Sequence, residues 1–217
     1  MSFAEPATAT ARPRRRLLAG GTDGNERLTA LTGSLLLVLL AVLGITIIQI
    51  GQLMWLHLFL GIVVFGPVAL KIMSTGYRFV SYYSGAVAYR RKGPPHPLLR
   101  MLGPVVVLST CGVFLTGLLL LLVGPNAGSQ PTLGLLHKVT FFLWLAAMAP
   151  HVLGHLVELP RNLFPSDPGF RRRLPGGAGR QLSLLAALVG GLVLAVLLLP
   201  DFSAWTFWAA HHHHHHH

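Results

Sequence analysis

Five long apolar runs, separated by basic or glycine- and proline-rich segments, set the pattern of this chain. They are Leu28 to Ile50, Leu53 to about Met73, Met101 to Val123, Leu133 to Pro160 and Leu182 to Leu199. A helix needs ~20 mostly apolar residues to cross a bilayer, and the runs are of about that length. The pattern therefore predicts an all-α integral membrane protein with five transmembrane helices, its partner being the lipid bilayer. Residues 28–160 are expected to form a four-helix bundle, and residues 182–210 a fifth helix, packed outside it, with the carboxyl terminus. Residues 1–27 read as a flexible basic tail, residues 161–181 as a basic loop, and His211 to His217 as a purification tag.

Charge placement gives the orientation. The tail carries Arg12, Arg14, Arg15, Arg16 and Arg27, and the segment after span 2 carries Arg78, Arg90, Arg91, Lys92 and Arg100. The segment after span 4 carries Arg161, Arg171, Arg172, Arg173 and Arg180. The turn at Gly51 and the loop Gly124 to Thr132 carry none, so fifteen of the seventeen basic residues fall on one side. The positive-inside rule makes that side the cytoplasm, with the amino terminus inside and the carboxyl terminus outside a bacterial inner membrane. The net charge of +11 thus reflects orientation rather than nucleic acid binding. A twin-arginine export signal would need an apolar stretch after Arg14-Arg15-Arg16, where LLAGGTDGNER stands instead. Trp205, Phe207 and Trp208 suit an outer interfacial anchor.

Against this apolar background the histidines stand out, because ionisable groups inside a bilayer are costly and usually functional. Span 4 carries His137, His151 and His155. At ~100° per residue, His137 and His151 lie within roughly 40° of one line and ~21 Å apart in rise. His155 falls on the same line, giving a stripe of His137, Phe141, Trp144, Met148, His151 and His155. Imidazoles facing inward at two depths suit two haems, one above the other. Span 2 runs parallel to span 4 and places His57 at the depth of His137, so the two rings can ligate one iron from opposite sides. Gly61, one turn below His57, would let a porphyrin approach the backbone.

The inner level is less regular. Fourteen residues below His57 stands Lys71, opposite His151. Its amine could ligate an inner iron if burial deprotonates it, bind a haem propionate or quinone oxygen as a cation, or snorkel to the cytoplasm. His155 could replace His151 as inner ligand or hydrogen-bond a propionate. Arg78, Tyr77, Tyr82 and Tyr83 could bind propionates or act as interfacial anchors. Met148 and Trp144 read as packing, Lys138 as snorkelling outward, and His96 as solvated. Cys111, among Ser109, Thr110 and Gly112, and the pair Gly190-Gly191 read as helix packing. A single cysteine allows neither an internal disulfide nor covalent haem attachment through C-x-x-C-H.

The two parallel histidine-bearing spans resemble the membrane four-helix b-type cytochromes: cytochrome b of quinol-oxidising bc complexes and the cytochrome b subunits of hydrogenases and formate dehydrogenases. The segments LHLFLGIVVFGPVALKIMSTGYRFVSYYSG and HKVTFFLWLAAMAPHVLGHL also look like a family of small bacterial membrane proteins. In the bc type, two parallel helices each carry histidines 13 or 14 residues apart. His57, His137 and His151 match that pattern, and Lys71 departs from it. The resemblance spans residues 28–160 and implies haem b, one or two per chain, and transmembrane electron transfer to quinone or a redox protein partner. Small members include superoxide:quinone oxidoreductases, so chemistry at the outer haem edge is conceivable.

Other classes remain as alternatives: a haem-containing anchor for a separate oxidoreductase subunit, a haem-free proton or metal transporter, or a purely structural subunit. The transporter calls for a polar, water-filled lining, and spans 1, 3 and 5 offer only serine, threonine and glycine. Retinal on Lys71 lacks a carboxylate counter-ion within the spans. No phosphate loop, paired carboxylates or nucleophile with a base is visible, so nothing supports a soluble-type hydrolase.

Overall fold

The computed structural model describes residues 21–91, 97–156 and 176–212. Most of the basic tail, Lys92 and His96, Pro160, Arg161 and Arg171 to Arg173 lie outside the described residues.

The described residues form helices joined by short turns, with no strand among them. Helix α1 is Gly21–Ile48, α2 is Ile50–Val63, α3 is Phe65–Tyr83 and α4 is the short Val87–Arg91. Helix α5 is Pro97–Val123, α6 is Gln130–Leu156, α7 is Gly177–Leu197 and α8 is Leu199–His212. Among the described residues five helices, with α2 and α3 counted as one, are long and apolar enough to cross a membrane. Leucines and valines such as Val38, Leu108, Leu143 and Leu197 project from the bundle exposed. Apolar surface on that scale calls for lipid rather than water.

Two boundaries differ from the sequence expectation for polar reasons. Helix α1 begins at Gly21, so residues 21–27 are helical instead of part of a flexible tail. Asp23 in its first turn complements the helix dipole, and Asn25 donates to the Ser74 carbonyl at 3.1 Å. Span 2 continues past Met73 to Tyr83, because α3 lays its polar side against α1. There Thr29 bonds to the Ser74 hydroxyl at 3.2 Å and Arg78 stands 3.7 Å from Glu26.

The α2–α3 junction at Val64 comes from Pro67, which has no N–H to give to the Val63 carbonyl one turn back. Helix α7 crosses at this joint. A Cβ on Gly66 would lie 1.8 Å from the Ala187 oxygen, and one on Gly191 would lie 2.1 Å from the Val63 oxygen. Two glycines thus bring the backbones into contact, Gly191 against the carbonyl that Pro67 leaves free. Ala187, Gly191 and Ala195 recur every four residues on α7, the small-residue spacing of close membrane helix pairs. Gly190 meets nothing within 4 Å.

Helix α7 therefore packs on α1, α2 and α3, while α5 and α6 form a separate antiparallel pair. Helix α8, read from sequence only as an aromatic outer end, packs against α2 and α5. It buries Phe202 and Trp205 in a cluster with Ile62, Val63, Leu121 and Ala195. Trp205 is consequently a core residue rather than an interfacial anchor, and Phe207 is the exposed aromatic of that helix.

Candidate functional site

The site lies between α2–α3 on one side and α6 on the other. His57 and His137 are within electrostatic range of each other, and so are Lys71 and His151. Phe65 meets Phe114 and Tyr83 meets Arg100, while His137 meets Thr116 and Trp144 meets Thr110, so α3 and α6 both run antiparallel to α5 and therefore parallel to each other. A parallel pair brings side chains to two levels, the histidine pair at the one expected from the charge distribution to be outer and the lysine–histidine pair at the other.

At the outer level each ring is tied to a threonine that the sequence reading passed over. Thr46, fully buried on α1, stands 2.9 Å from His57 Nδ1. Thr116 on α5 stands 3.1 Å from His137 Nδ1 and 3.2 Å from the Thr140 hydroxyl. The His137 ring fits a notch at Gly117, where a Cβ would come within 3.1 Å of its Cε1. A threonine in a helix ordinarily turns its hydroxyl back to a carbonyl three or four residues earlier, so nothing in the sequence marked these two as histidine partners. At Gly61 an added Cβ would meet nothing within 4 Å, so the backbone on the His57 side is open.

The inner level is organised differently. The Lys71 amine neither snorkels nor turns to His151 as a hydrogen-bond partner; it donates to the Thr29 carbonyl at 2.8 Å, beside Gly33. That bond extends the polar seam of α1 and α3 into the membrane. His151 Nδ1 is buried and has no hydrogen-bond partner. The exposed His155 ring packs edge-on to His151, with centroids 4.8 Å apart. Arg78 is engaged with Glu26, a carboxylate of its own chain.

Flanking residues divide between packing and access. Trp144 donates from Nε1 to the Thr110 hydroxyl at 3.0 Å, which turns it to α5 as a packing residue. Gly112 takes Thr140 against its backbone, whereas Cys111 is exposed. Cys111 lines a crevice of about 250 Å³ between α3 and α5, walled by apolar groups including Phe65, Ile72, Phe114 and Leu118. Phe65 and Phe114 meet edge to face across it at 4.6 Å. Near the carboxyl-terminal end of α3, Arg100 donates to the Tyr83 hydroxyl, and Tyr77 packs on Tyr89. Lys138 is exposed at the other end of α6.

Among the described residues, no three histidine, cysteine, aspartate or glutamate side chains converge on a point that could hold a metal ion. The chain matches no protein-family model, no curated protein and no solved structure.

Proposed function

We propose that this protein is a membrane b-type cytochrome that carries electrons through haem held between His57 and His137. The observation that carries the reading is the outer pair itself: two imidazoles at one depth on parallel helices, each with Nδ1 against a threonine hydroxyl. A bare metal ion needs three or four protein donors, whereas a porphyrin brings four nitrogens and asks the protein for two. The open backbone at Gly61 supports the approach of a flat macrocycle. A haem held by two imidazoles exchanges one electron at a time without an open position for a further ligand. His57 and His137 would hold it, and the apolar residues around them would exclude water.

The inner level supports no second axial pair, since the Lys71 amine is committed to α1. We therefore assign one haem per chain, at the outer level. The apolar walls of the α3–α5 crevice support a lipid-soluble electron partner of the quinone type, and they do not suit a hydrated proton or metal path. The charge distribution supports a bacterial inner membrane with the amino terminus in the cytoplasm.

The test is an absorption spectrum of the detergent-purified protein, oxidised and then dithionite-reduced, with haem counted per chain. Sharp reduced α and β bands and one haem are expected, lost in His57→Ala and in His137→Ala and kept in His151→Ala. A protein that stays colourless after expression with ample haem refutes the proposal. Orientation is read in a Cys111→Ser background, where Ser129→Cys should react with an impermeant thiol reagent from outside the cell.

A further inference from the structure

Both outer histidines receive the same treatment from unrelated helices. Thr46 comes from α1 and Thr116 from α5, and each hydroxyl has a single proton to give. Thr46 has the Leu43 carbonyl at 2.6 Å to give it to, and Thr116 has the Gly112 carbonyl at 2.8 Å and the Val113 carbonyl at 3.1 Å. With the proton so placed, each oxygen is left to accept from the imidazole, at 2.9 Å from His57 Nδ1 and 3.1 Å from His137 Nδ1. An Nδ1 that donates carries the ring's only proton, so Nε2 keeps its lone pair. His151 has no such arrangement, its buried Nδ1 being unpartnered.

We propose that Thr46 and Thr116 are positioning residues that hold His57 and His137 as Nδ1–H tautomers, present Nε2 to haem iron, and lower its reduction potential. The inference rests on the haem reading above. Its physical basis is that a hydrogen bond from Nδ1–H makes the opposite nitrogen a stronger donor, which favours ferric over ferrous iron. Outer partners of metal-ligating histidines typically change metal affinity by about 10–100-fold. Because the threonines act on opposite axial ligands of one iron, their effects should accumulate in the double variant.

The experiment is a redox titration of the full-length purified protein, following the reduced α band, with haem per chain measured in parallel. Thr46→Val and Thr116→Val replace hydroxyl by methyl at nearly constant volume, and Thr46→Ser and Thr116→Ser restore the acceptor. Both valine variants should titrate at a higher midpoint, by about 59 mV for each tenfold loss of ferric relative to ferrous affinity. The serine variants should return to the wild-type midpoint, and the double valine variant should rise further than either single one. If a valine variant does not fold, Thr46→Ala or Thr116→Ala removes the same acceptor with more room. Haem-loaded variants that all share the wild-type midpoint overturn the role of the threonines and leave the cytochrome reading standing. A colourless wild-type protein overturns the cytochrome reading and this inference with it.

Discussion

Replacing Gly66 by alanine should pry α7 away from the α2–α3 joint and cost the protein a measurable part of its stability. The new Cβ would stand 1.8 Å from the Ala187 oxygen, and in Gly191→Ala 2.1 Å from the Val63 oxygen. An ordinary carbon–oxygen approach is ~3.3 Å, so the helices must part by roughly 1.5 Å in the first variant and roughly 1.2 Å in the second. Neither obstacle is a flexible side chain that could rotate aside. Parting the helices forfeits both close Cα–H contacts, ~0.5–1 kcal/mol each, and adds ~1–3 kcal/mol of overpacking. The expected cost of Gly66→Ala is therefore about 2–5 kcal/mol. A single displacement relieves both clashes, so the double variant should cost clearly less than the sum of the two. Gly76→Ala and Gly44→Ala are the controls: nothing lies within 4 Å of either Cβ position. Alanine favours a helix over glycine by up to ~1 kcal/mol, so both should be neutral or stabilising. Thermal unfolding in detergent micelles, followed by helical ellipticity and tryptophan fluorescence, reads all five proteins against wild type. Gly66→Ala melting together with Gly44→Ala would refute the contact, and strict additivity in the double variant would refute the shared displacement.

Gly61→Leu should keep the melting behaviour of the haem-free protein while haem per chain falls below half; unchanged haem would show that no macrocycle approaches that backbone. Lys71→Ala should lose about 0.5–1.5 kcal/mol with its bond to Thr29 and keep one haem and an unaltered spectrum, whereas lost haem would make the lysine part of the site. Phe202→Ala should cost up to about 3–5 kcal/mol and expose α8 to protease, and a carboxyl-terminal segment as resistant as wild type would contradict its burial. Cys111, opening on the α3–α5 crevice, should react with a lipid-soluble thiol reagent in vesicles and resist a charged one; equal labelling by both would indicate a water-filled path.

The resemblance to cytochrome b subunits drew attention to the histidines on spans 2 and 4 but gave no sign of the partners found beside them. His57, His137 and His151 were legible because fourteen-residue spacing is a property of a single helix. Lys71 was visible as an anomaly, and its length left three destinations open until Thr29 and Gly33 on α1 supplied one. Thr46 and Thr116 were invisible, since each earns its role only by proximity to a histidine on another helix. Trp205 looked like an anchor because aromatic residues near a span end usually are, and α8 carried it instead into the core.

The sequence by itself determined the number of spans and the spacing of the histidines along them, because bilayer thickness and the helical rise act locally along the chain. The joint at Val64 was not among these, since Pro104 and Pro150 also withhold a donor yet lie inside unbroken helices. Only the tertiary structure decided which faces meet. A helix that is apolar all round carries no periodic sign of its buried side, and in lipid the choice falls to small residues and hydrogen bonds between helices. Gly66 against Ala187, Lys71 against Thr29, and the two threonines against the two outer imidazoles are choices of that kind.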